Sequence, residues 1–394
     1  MTTTPLNSDP YYDGSDPDIA QDPYPVFKRL RDEAPLYYNE RADFFAVSRF
    51  DDVTKVLADN NNFLSKYGGT IDMIKTGFDI PPGTVLFEDE PAHGIHRALL
   101  SRMFTPKKVA MLDGQVRAFC TGILDELDTE GFDFATDIGD VVPMRVIGML
   151  LGLPPDQQEA VRHRLTDTGT GPETGAGRLF DADLLVDYVR WRQQNPANDV
   201  VTELLNAEFE DENGARRTLT LEELLMYVNV LAAAGSETTG RLITYAGKLL
   251  ADHPDQRQML VEDPGLIPNA VEEVLRYEAP AIEVARFVAA DVEFHGQTVP
   301  EGSAISALLA SANHDERHCE EPERFDIRRK ATHVSLSFGP HYCLGANLAR
   351  LEARVVLDEV LKRYPTWEVD TDRAVFEVSP PLRSWVKLPV IAVP

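Results

Sequence analysis

The feature that most constrains this chain is a cysteine placed between a tight turn and a helix, within residues 337–345. The run Phe338-Gly339-Pro340 has the composition of a turn. From Leu344 onward apolar residues recur at helical spacing, which predicts a helix that begins just after Cys343. Backbone N–H groups and the positive dipole end at a helix N-terminus favour a thiolate. The pattern therefore indicates a nucleophile or a metal ligand at Cys343, with an inert buried thiol as the alternative.

The chain has 394 residues, and no linker divides it. Length alone suggests two or three domains. Because no linker is seen, we predict a single domain over residues 1–394, in which the polar residues 1–20 are irregular. The first ten residues lack the apolar core of a signal peptide. Because no run of about 18 apolar residues occurs, we expect no membrane span.

The charge and the cysteine content exclude several classes of protein. The formal net charge is -27, with 65 acidic and 38 basic residues, which argues against nucleic acid as a partner. The three cysteines are too few and too scattered for a disulfide framework. Their number fits the reducing cytoplasm, where we expect the protein to be located.

A second unusual feature is the centre of a long predicted helix, Thr220 to Leu250. Thr220 and Glu223 have the spacing of a capping box, and Pro254 follows the helix. Its middle reads Ala233-Ala234-Gly235-Ser236-Glu237-Thr238-Thr239. A glycine inside a helix costs about 1 kcal/mol relative to alanine, and adjacent threonines lower helix propensity further. A poor helical sequence at this place indicates either function or a kink for close packing.

The cysteine stretch resembles the haem-thiolate loop of the cytochrome P450 family, Phe-x-x-Gly-x-x-x-Cys-x-Gly. Gly339, Cys343 and Gly345 match this pattern, whereas Leu336 stands in place of the family's phenylalanine. The resemblance implies that Cys343 is the axial ligand of haem b iron. The departure at Leu336 leaves the fine electronic tuning of the iron open.

Further segments resemble the same family in the family's order along the chain. The centre of the long helix resembles the oxygen-binding helix, which implies that Glu237 and Thr238 form the acid–alcohol pair for proton delivery. Gly235, beside Ala234, would leave room for dioxygen. The remaining residues that the resemblance assigns to haem binding are His93, Arg97, Arg286, Phe338, Gly339, His341 and Gly345.

The run Glu273-Val274-Leu275-Arg276 matches the family's Glu-x-x-Arg. From the residues alone, Glu273 and Arg276 form a solvated ion pair worth under about 1 kcal/mol. The resemblance implies instead that the pair is buried and is joined by Arg324 from the segment Pro322-Glu323-Arg324-Phe325. This network would be structural.

The resemblance implies a mainly α, helix-rich α+β fold. Haem would lie between the long central helix and the helix after the cysteine, with small β-sheets at one side. The implied activity is a monooxygenase that uses O2 and two electrons from a separate ferredoxin or flavodoxin with its reductase. We expect the donor to dock near five basic residues: Arg102, Lys107, Lys108, Arg350 and Arg354.

Two other functions remain possible from the sequence. A peroxide-driven haem-thiolate peroxygenase is the alternative enzyme, although such proteins usually lack an acid–alcohol pair such as Glu237 and Thr238. A haem-based sensor or carrier is the non-enzymatic alternative, and it would have no use for that pair.

The stretches that would line the substrate pocket are mostly apolar, which predicts a small hydrophobic substrate such as a terpenoid, steroid, fatty acid or aromatic compound. Glu283 is a charge among them. It either orients a polar group of the substrate or is an exposed carboxylate. The stretches are Tyr67 to Val85, Phe180 to Tyr188, Val228 to Ala233, Ile282 to Val284 and Ser379 to Leu382.

Overall fold

The computed structural model describes residues 9–81, 83–127, 131–154, 158 and 185–393. Helices dominate this part of the chain, and short 3-10 turns (Val85–Phe87, Pro264–Leu266, Gly339–His341) and a π-helical turn (Phe134–Gly139) lie between them. The α-helices are α1 (Pro17–Gln21), α2 (Tyr24–Glu33), α3 (Phe50–Ala58), α4 (Ile71–Thr76), α5 (Ala92–Ser101), α6 (Pro106–Ala110), α7 (Asp113–Glu126), α8 (Val142–Leu151), α9 (Val186–Gln194), α10 (Val200–Leu205), α11 (Leu221–Asp252), α12 (Pro254–Glu262), α13 (Ile267–Tyr277), α14 (Leu309–Asn313) and α15 (Ala346–Arg363).

The strands of the described residues form small sheets. They are β1 (Leu36–Asn39), β2 (Phe44–Val47), β3 (Phe63–Leu64), β4 (Gly131–Asp133), β5 (Phe209–Glu210), β6 (Arg216–Arg217), β7 (Val284–Val288), β8 (Val292–Phe294), β9 (Gln297–Val299), β10 (Ala304–Ala307), β11 (Thr366–Val369), β12 (Val375–Ser379), β13 (Leu382–Lys387) and β14 (Pro389–Val393). The largest sheet has the order β1-β2-β10-β7-β3, in which β10 pairs parallel to β2 and the other pairs are antiparallel.

The long helix α11 is the centre of the largest hydrophobic cluster. It begins where the prediction placed it, because the Thr220 hydroxyl accepts from the Glu223 N–H and the Glu223 carboxylate accepts from the Thr220 N–H. It ends before Pro254, which begins the next helix. Around it pack α8, the π-helical turn, α13 and α15. The approach to the π-helical turn is close, since a side chain at Gly240 would lie 2.5 Å from the Gly139 carbonyl oxygen.

Two predictions of irregular structure were incomplete. Helix α1 begins at Pro17, inside the segment predicted to be irregular, because the Asp16 carboxylate caps the N–H groups of Asp18 and Ile19. The segment from Leu64 to Pro91 shows little periodicity, which predicts a long loop, but it contains α4 and a 3-10 turn. Thr70 caps α4 by accepting from the Met73 N–H.

Other predictions lie partly outside the described residues. The pocket stretch that begins at Phe180 is described only from Leu185, and α9 begins at Val186. Within the described ranges, no helix combines the length and the apolar character needed to cross a membrane.

Candidate functional site

The loop before α15 has a backbone shape that only a few residue types allow. Gly339 has a φ of +69°, and a Cβ there would lie 2.9 Å from both the Ala58 Cα and the Leu57 carbonyl oxygen. Only glycine satisfies both conditions. The loop closes when the Cys343 N–H donates to the Leu336 carbonyl at 2.8 Å. Helix α15 then begins at Ala346 with Gly345 as its N-cap, as the sequence predicted.

The thiol of Cys343 does not have the lowered pKa that its position near a helix N-terminus suggested. Burial raises its pKa above the usual value. The Gly345 N–H and the charges of Arg97 and Arg350 act in the opposite direction, and they do not outweigh the burial. The prediction of an intrinsically favoured thiolate was therefore wrong for the protein alone. A metal ion bound to the sulfur would deprotonate it outright.

The three residues at the start of the loop differ in their surroundings. Leu336, at the position of the family's phenylalanine, is partly buried and packs against the main hydrophobic cluster. Ser337 has a φ of +63°, and its buried hydroxyl has no hydrogen-bond partner among the described residues. Phe338 follows with a side chain that is 48% exposed.

Four basic side chains from three separate parts of the chain converge beside this loop. The rings of His93 on α5 and His341 in the loop lie 4.1 Å apart. Arg97, also on α5, donates to the carbonyl oxygen of Tyr342. Arg286 on β7 is 4% exposed, and its guanidinium donates to the Ala285 carbonyl. The structure therefore brings together four residues that the resemblance assigned to haem binding.

Two acidic residues lie beside this basic cluster, since Glu90 Oε1 is 3.3 Å from Nδ1 of His93 and Asp89 acts on Arg286. Burial, reinforced by the charges of Arg286, His93 and Arg97, lowers the pKa of His341 to about 3. Burial also lowers the pKa of Arg286 to about 10, and Asp89 opposes it only partly. In addition, the buried Nε2 of His93 has no partner among the described groups. Such a cluster fits the two carboxylates of a haem, whose iron the Cys343 sulfur would hold.

Ser65 is a site residue that the sequence reasoning missed. It is 1% exposed, and its hydroxyl lies 3.1 Å from Nε2 of His341. Its own N–H donates to the Asp89 carboxylate at 2.8 Å. A lone serine at the start of a long loop carries no recognisable pattern, so only the fold could reveal it.

One stripe of α11 remains uncovered in the middle of an otherwise buried helix. The Thr238 hydroxyl donates to the Ala234 carbonyl at 2.9 Å, so its oxygen can still accept a hydrogen bond. The Glu237 side chain is 53% exposed and pairs with Arg241 at 2.6 Å. The residues of this stripe are Leu231, Ala234, Glu237, Thr238 and Arg241.

Gly235 is also only partly buried and lies at the edge of this stripe, beside α8. A Cβ at this position would lie 2.6 Å from Cδ1 of Ile147 on α8. The missing side chain therefore allows α8 to pack closely against α11, which is the packing alternative that the sequence left open. This contact does not test whether Gly235 leaves room for dioxygen, which stays a prediction.

The Glu-x-x-Arg pair is buried, but its third member was predicted wrongly. Glu273 and Arg276 are both 0% exposed and share two hydrogen bonds. The side chain that joins them is that of Arg329, whose Nε lies 3.2 Å from Glu273. The Arg324 side chain is 56% exposed and pairs with Glu321 and Asp326, and only its carbonyl oxygen accepts from the network. The sequence offers three arginines within six positions, and spacing alone does not distinguish them.

Glu283 is not an exposed carboxylate, which was the alternative given for it. Its carboxylate accepts from the hydroxyls of Tyr12 at 2.8 Å and Ser306 at 2.5 Å. Burial raises the pKa of Glu283. Because Tyr12 lies in the N-terminal segment and Ser306 on β10, Glu283 links these two parts of the chain. No pattern in the sequence predicted this role.

Comparisons with known proteins agree with this geometry. A sequence model described as Cytochrome P450 matches residues 265–382. Cytochrome P450 123 of Mycobacterium tuberculosis is 36% identical over 97% of this chain and 96% of its own. A steroid C26-monooxygenase of that species is 33% identical over 74% of this chain and 80% of its own. The epothilone C/D epoxidase of Sorangium cellulosum is 32% identical over 96% and 94%.

Solved structures give the same result. Cytochrome P450 CYP109Q5 from Chondromyces apiculatus superposes with a TM-score of 0.84 at 32% identity, covering 96% of this chain and 97% of its own. A mutant of P450 EryK in complex with erythromycin B gives 0.83 at 30% identity, covering 95% and 96%. The helix-rich fold with small sheets is thus confirmed.

The fold and the cysteine loop define a haem enzyme. The chain belongs to the cytochrome P450 family, and haem b is its cofactor.

Proposed function

We propose that this protein is a monooxygenase that inserts one oxygen atom of O2 into a C–H bond or an alkene of a small hydrophobic molecule. Haem b supplies the binding and reduction of O2 when it is bound. The chain's own residues hold the cofactor, deliver protons and shape the pocket. The observation that carries the proposal is the uncovered stripe of α11, which combines Glu237 and Thr238 in a haem protein.

We propose that the cofactor is held at two places. The Cys343 sulfur would bind the haem iron. The cationic groups of Arg97 and Arg286, with His93 and His341, would hold the two propionates. The support for this assignment is the convergence of these four basic side chains, with the buried Nε2 of His93 left without a partner among the described groups.

The proton path would run from solvent to Thr238. Glu237 is half exposed and one residue away, so its carboxylate can exchange protons with water. The Thr238 hydroxyl donates its proton to the Ala234 carbonyl. Its oxygen would therefore accept a hydrogen bond from a water molecule and orient that water. Arg241 pairs with Glu237, which lies four residues earlier on the helix. An acidic residue on the N-terminal side of its basic partner is the more favourable order.

The test compares T238V with T239V. Thr239 is 4% exposed and lies off the stripe, so its replacement is a matched control. We expect T238V to divert electrons into hydrogen peroxide while product falls by about tenfold. E237Q should slow turnover by about 100-fold, which is typical of a lost acid–base group. If T238V and E237Q both convert electrons into product as efficiently as the wild type, the proton path is rejected.

The peroxygenase alternative is tested by the choice of oxidant. We expect turnover with O2, a reductant and a donor protein, and little turnover with hydrogen peroxide alone. Fast turnover with peroxide, unaffected by E237Q, would favour the peroxygenase.

We propose that an acidic ferredoxin or flavodoxin docks beside α15. A concave notch of about 220 Å³ lies there, with Arg350 and Arg354 at its rim and Pro106, Val109 and Leu351 among its apolar residues. Lys108 pairs with Glu203. Arg102 and Lys107 are exposed and have no acidic partner within the described ranges.

Charge reversal at Arg102 and Lys107 tests this docking face. We expect R102E/K107E to slow reduction by the donor protein and to leave the affinity for substrate unchanged. R373E, in the turn after β11, is an exposed control. An unchanged reduction rate would reject the face.

We also propose a substrate from the terpenoid, steroid, fatty acid or aromatic classes, since the relatives include an enzyme named for a steroid. Screening by the spin-state shift of the haem would identify the class. A cytoplasmic location is proposed as well, because the three cysteines are free thiols.

A further inference from the structure

The uncovered stripe of α11 ends at a buried tyrosine on each side. Tyr227 lies about one turn before Leu231 and about two turns before Ala234, so it belongs to the same side of the helix. Tyr245 lies about five turns after Tyr227 and therefore on that side as well. Tyr227 is 0% exposed and Tyr245 is 2% exposed. Because the stripe carries Thr238, the two tyrosines mark both ends of the helix surface that faces the proposed site of oxidation.

The hydroxyl groups of these two tyrosines differ in their bonding. Tyr245 donates to the Arg383 carbonyl oxygen of β13 at 2.7 Å. The buried Tyr227 hydroxyl has no hydrogen-bond partner among the described residues. Burial raises the pKa of Tyr227, so the phenol keeps its proton and remains a donor. A buried donor without an acceptor is costly, which makes the Tyr227 end of the stripe a candidate for a ligand.

His96 on α5 brings a second unpaired atom to the same place. Its ring meets the Tyr227 ring edge-on, with the centroids 5.8 Å apart and an interplanar angle of 71°. Its Nδ1 donates to the Glu88 carboxylate, whose two oxygens lie 2.9 and 2.8 Å away. Since Nδ1 carries the proton of the neutral ring, Nε2 carries the lone pair and is an acceptor. This Nε2 is buried and has no partner among the described groups.

The surroundings connect this pair of atoms with the substrate pocket. Phe209 of β5 covers His96 with an apolar ring, at a centroid distance of 5.9 Å. The stretch Tyr67 to Val85, which the sequence predicted to line the pocket, passes the beginning of α11. There a Cβ at Gly83 would lie 3.1 Å from the Cα of Glu223, about one turn before the tyrosine. The unpaired atoms therefore lie where the stripe meets a predicted wall of the pocket.

We propose that His96 and Tyr227 form a binding site for one hydroxyl oxygen at the end of the substrate pocket. The ligand is an alcohol group of the substrate or, when no alcohol is bound, a water molecule. The inference rests on the proposed monooxygenase function. It goes beyond that function because it assigns a polar group, at a defined place, to a substrate proposed only as hydrophobic.

The chemistry of the pair selects a hydroxyl group over other oxygen groups. Tyr227 offers a proton and His96 Nε2 offers a lone pair, and a hydroxyl group can both accept and donate. A ketone would accept from Tyr227 and leave Nε2 unpaired, whereas a hydrocarbon would leave both atoms unpaired. A pocket that is built to hydrogen-bond a hydroxyl group rejects the analogue that lacks it.

The position of the site also restricts the shape of the substrate. Tyr227 precedes Thr238 by about 16 Å along the axis of α11. A substrate that bonds to Tyr227 at one end and is oxidised beside Thr238 is therefore elongated. Its hydroxyl group lies far from the carbon atom that is oxidised.

The first experiment is a crystal structure of the wild-type holoenzyme without substrate. We expect an ordered water oxygen within hydrogen-bond distance of both His96 Nε2 and the Tyr227 hydroxyl. A structure with no oxygen atom between these two groups would overturn the site. This readout does not depend on catalysis, so its failure is distinct from a failure of the proposed monooxygenase activity.

The second experiment separates an alcohol from water as the ligand. Two pairs of probes differ only in a hydroxyl group: dodecanol with dodecane, and androstanol with androstane. Their dissociation constants are measured from the spin-state shift of the haem in the wild type, Y227F and Y245F. Y245F is the matched control, because it removes a hydroxyl on the same side of α11 that already has a partner within the protein.

We expect the alcohol to bind the wild type about tenfold more tightly than the hydrocarbon in at least one pair. Y227F should lower this ratio about fivefold or more, because the alcohol loses its donor. Y245F should keep the ratio of the wild type. Equal affinities within both wild-type pairs would overturn the alcohol as the ligand and assign the site to water. An unchanged ratio in Y227F would overturn the role of Tyr227.

Discussion

Glu273 and Arg276 lie one turn apart on α13 and share two hydrogen bonds, at 2.8 and 2.9 Å, with neither side chain exposed to solvent. Burying two charges is costly unless every lone pair and proton is satisfied. Here the carboxylate also accepts from the Asp326 N–H and from Arg329. The pair is therefore stable only within this complete network.

The first prediction separates the two arginines that could complete that network. We expect R329Q to lower the free energy of unfolding by about 1–3 kcal/mol, because the buried Glu273 carboxylate loses a charged donor. R324Q, which alters an exposed side chain, should change it by less than about 0.5 kcal/mol. Urea unfolding of both variants measures the difference. Equal effects would contradict the assignment of Arg329.

The second prediction concerns the backbone of the cysteine loop. We expect S337G to raise the free energy of unfolding by about 1 kcal/mol, because a φ of +63° is strained for any residue with a Cβ. The substitution also removes a buried hydroxyl without a partner. Thermal unfolding of the holoenzyme measures the gain.

Gly339 provides the opposite case in the same loop. G339A should destabilise the protein, because its Cβ would lie 2.9 Å from the backbone of Ala58 at a φ of +69°. A stabilising G339A or a destabilising S337G would show that the loop is not held in this conformation.

The third prediction is a pH dependence that originates in α15. Glu352 is 0% exposed, both its carboxylate oxygens lack a partner among the described residues, and burial raises its pKa. The neutral form of Glu352 is therefore favoured in the folded protein, whereas in the unfolded chain its carboxyl group has a pKa of about 4.3. Stability contributed by this group is complete below that pH and is lost as the pH rises toward the folded pKa.

E352Q should remove this loss. We expect its advantage over wild type in urea unfolding to grow as the pH rises above the unfolded pKa of about 4.3. Glu359 on the same helix is the control, because its bonds to Lys362 and Arg117 lower its pKa despite some burial. E359Q should instead be destabilising throughout this range. An advantage of E352Q that does not change with pH would refute the argument.

The fourth prediction concerns retention of the cofactor. Arg286 is buried among basic side chains, and Asp89 offsets only part of the burial that lowers its pKa, so its charge is available for a haem carboxylate. We expect R286Q to speed haem transfer to apomyoglobin by about tenfold or more, as expected for the loss of a charge-assisted hydrogen bond of about 1.5–3 kcal/mol. R41Q, in the exposed turn between β1 and β2, should have no effect. Equal transfer rates in R286Q and wild type would remove Arg286 from the site.

The sequence by itself determined the features that depend on neighbouring residues in the chain. The capping box at Thr220 and Pro254 after the helix fixed the ends of α11. Gly339 and Gly345, at fixed distances from Cys343, specified the loop. These features are local because a turn or a helix end is formed by residues that are adjacent in sequence, so their residue types reveal it.

The tertiary structure decided what depends on residues far apart in the chain. Arg329 rather than Arg324 reaches Glu273, and Gly235 accommodates Ile147. Glu283 bonds to Tyr12, 271 positions away, and burial raises the pKa of Cys343 where the helix end alone predicted a lower one. Burial and long-range contacts arise only when the elements pack, and spacing along one helix cannot reveal which side chain fills a distant gap.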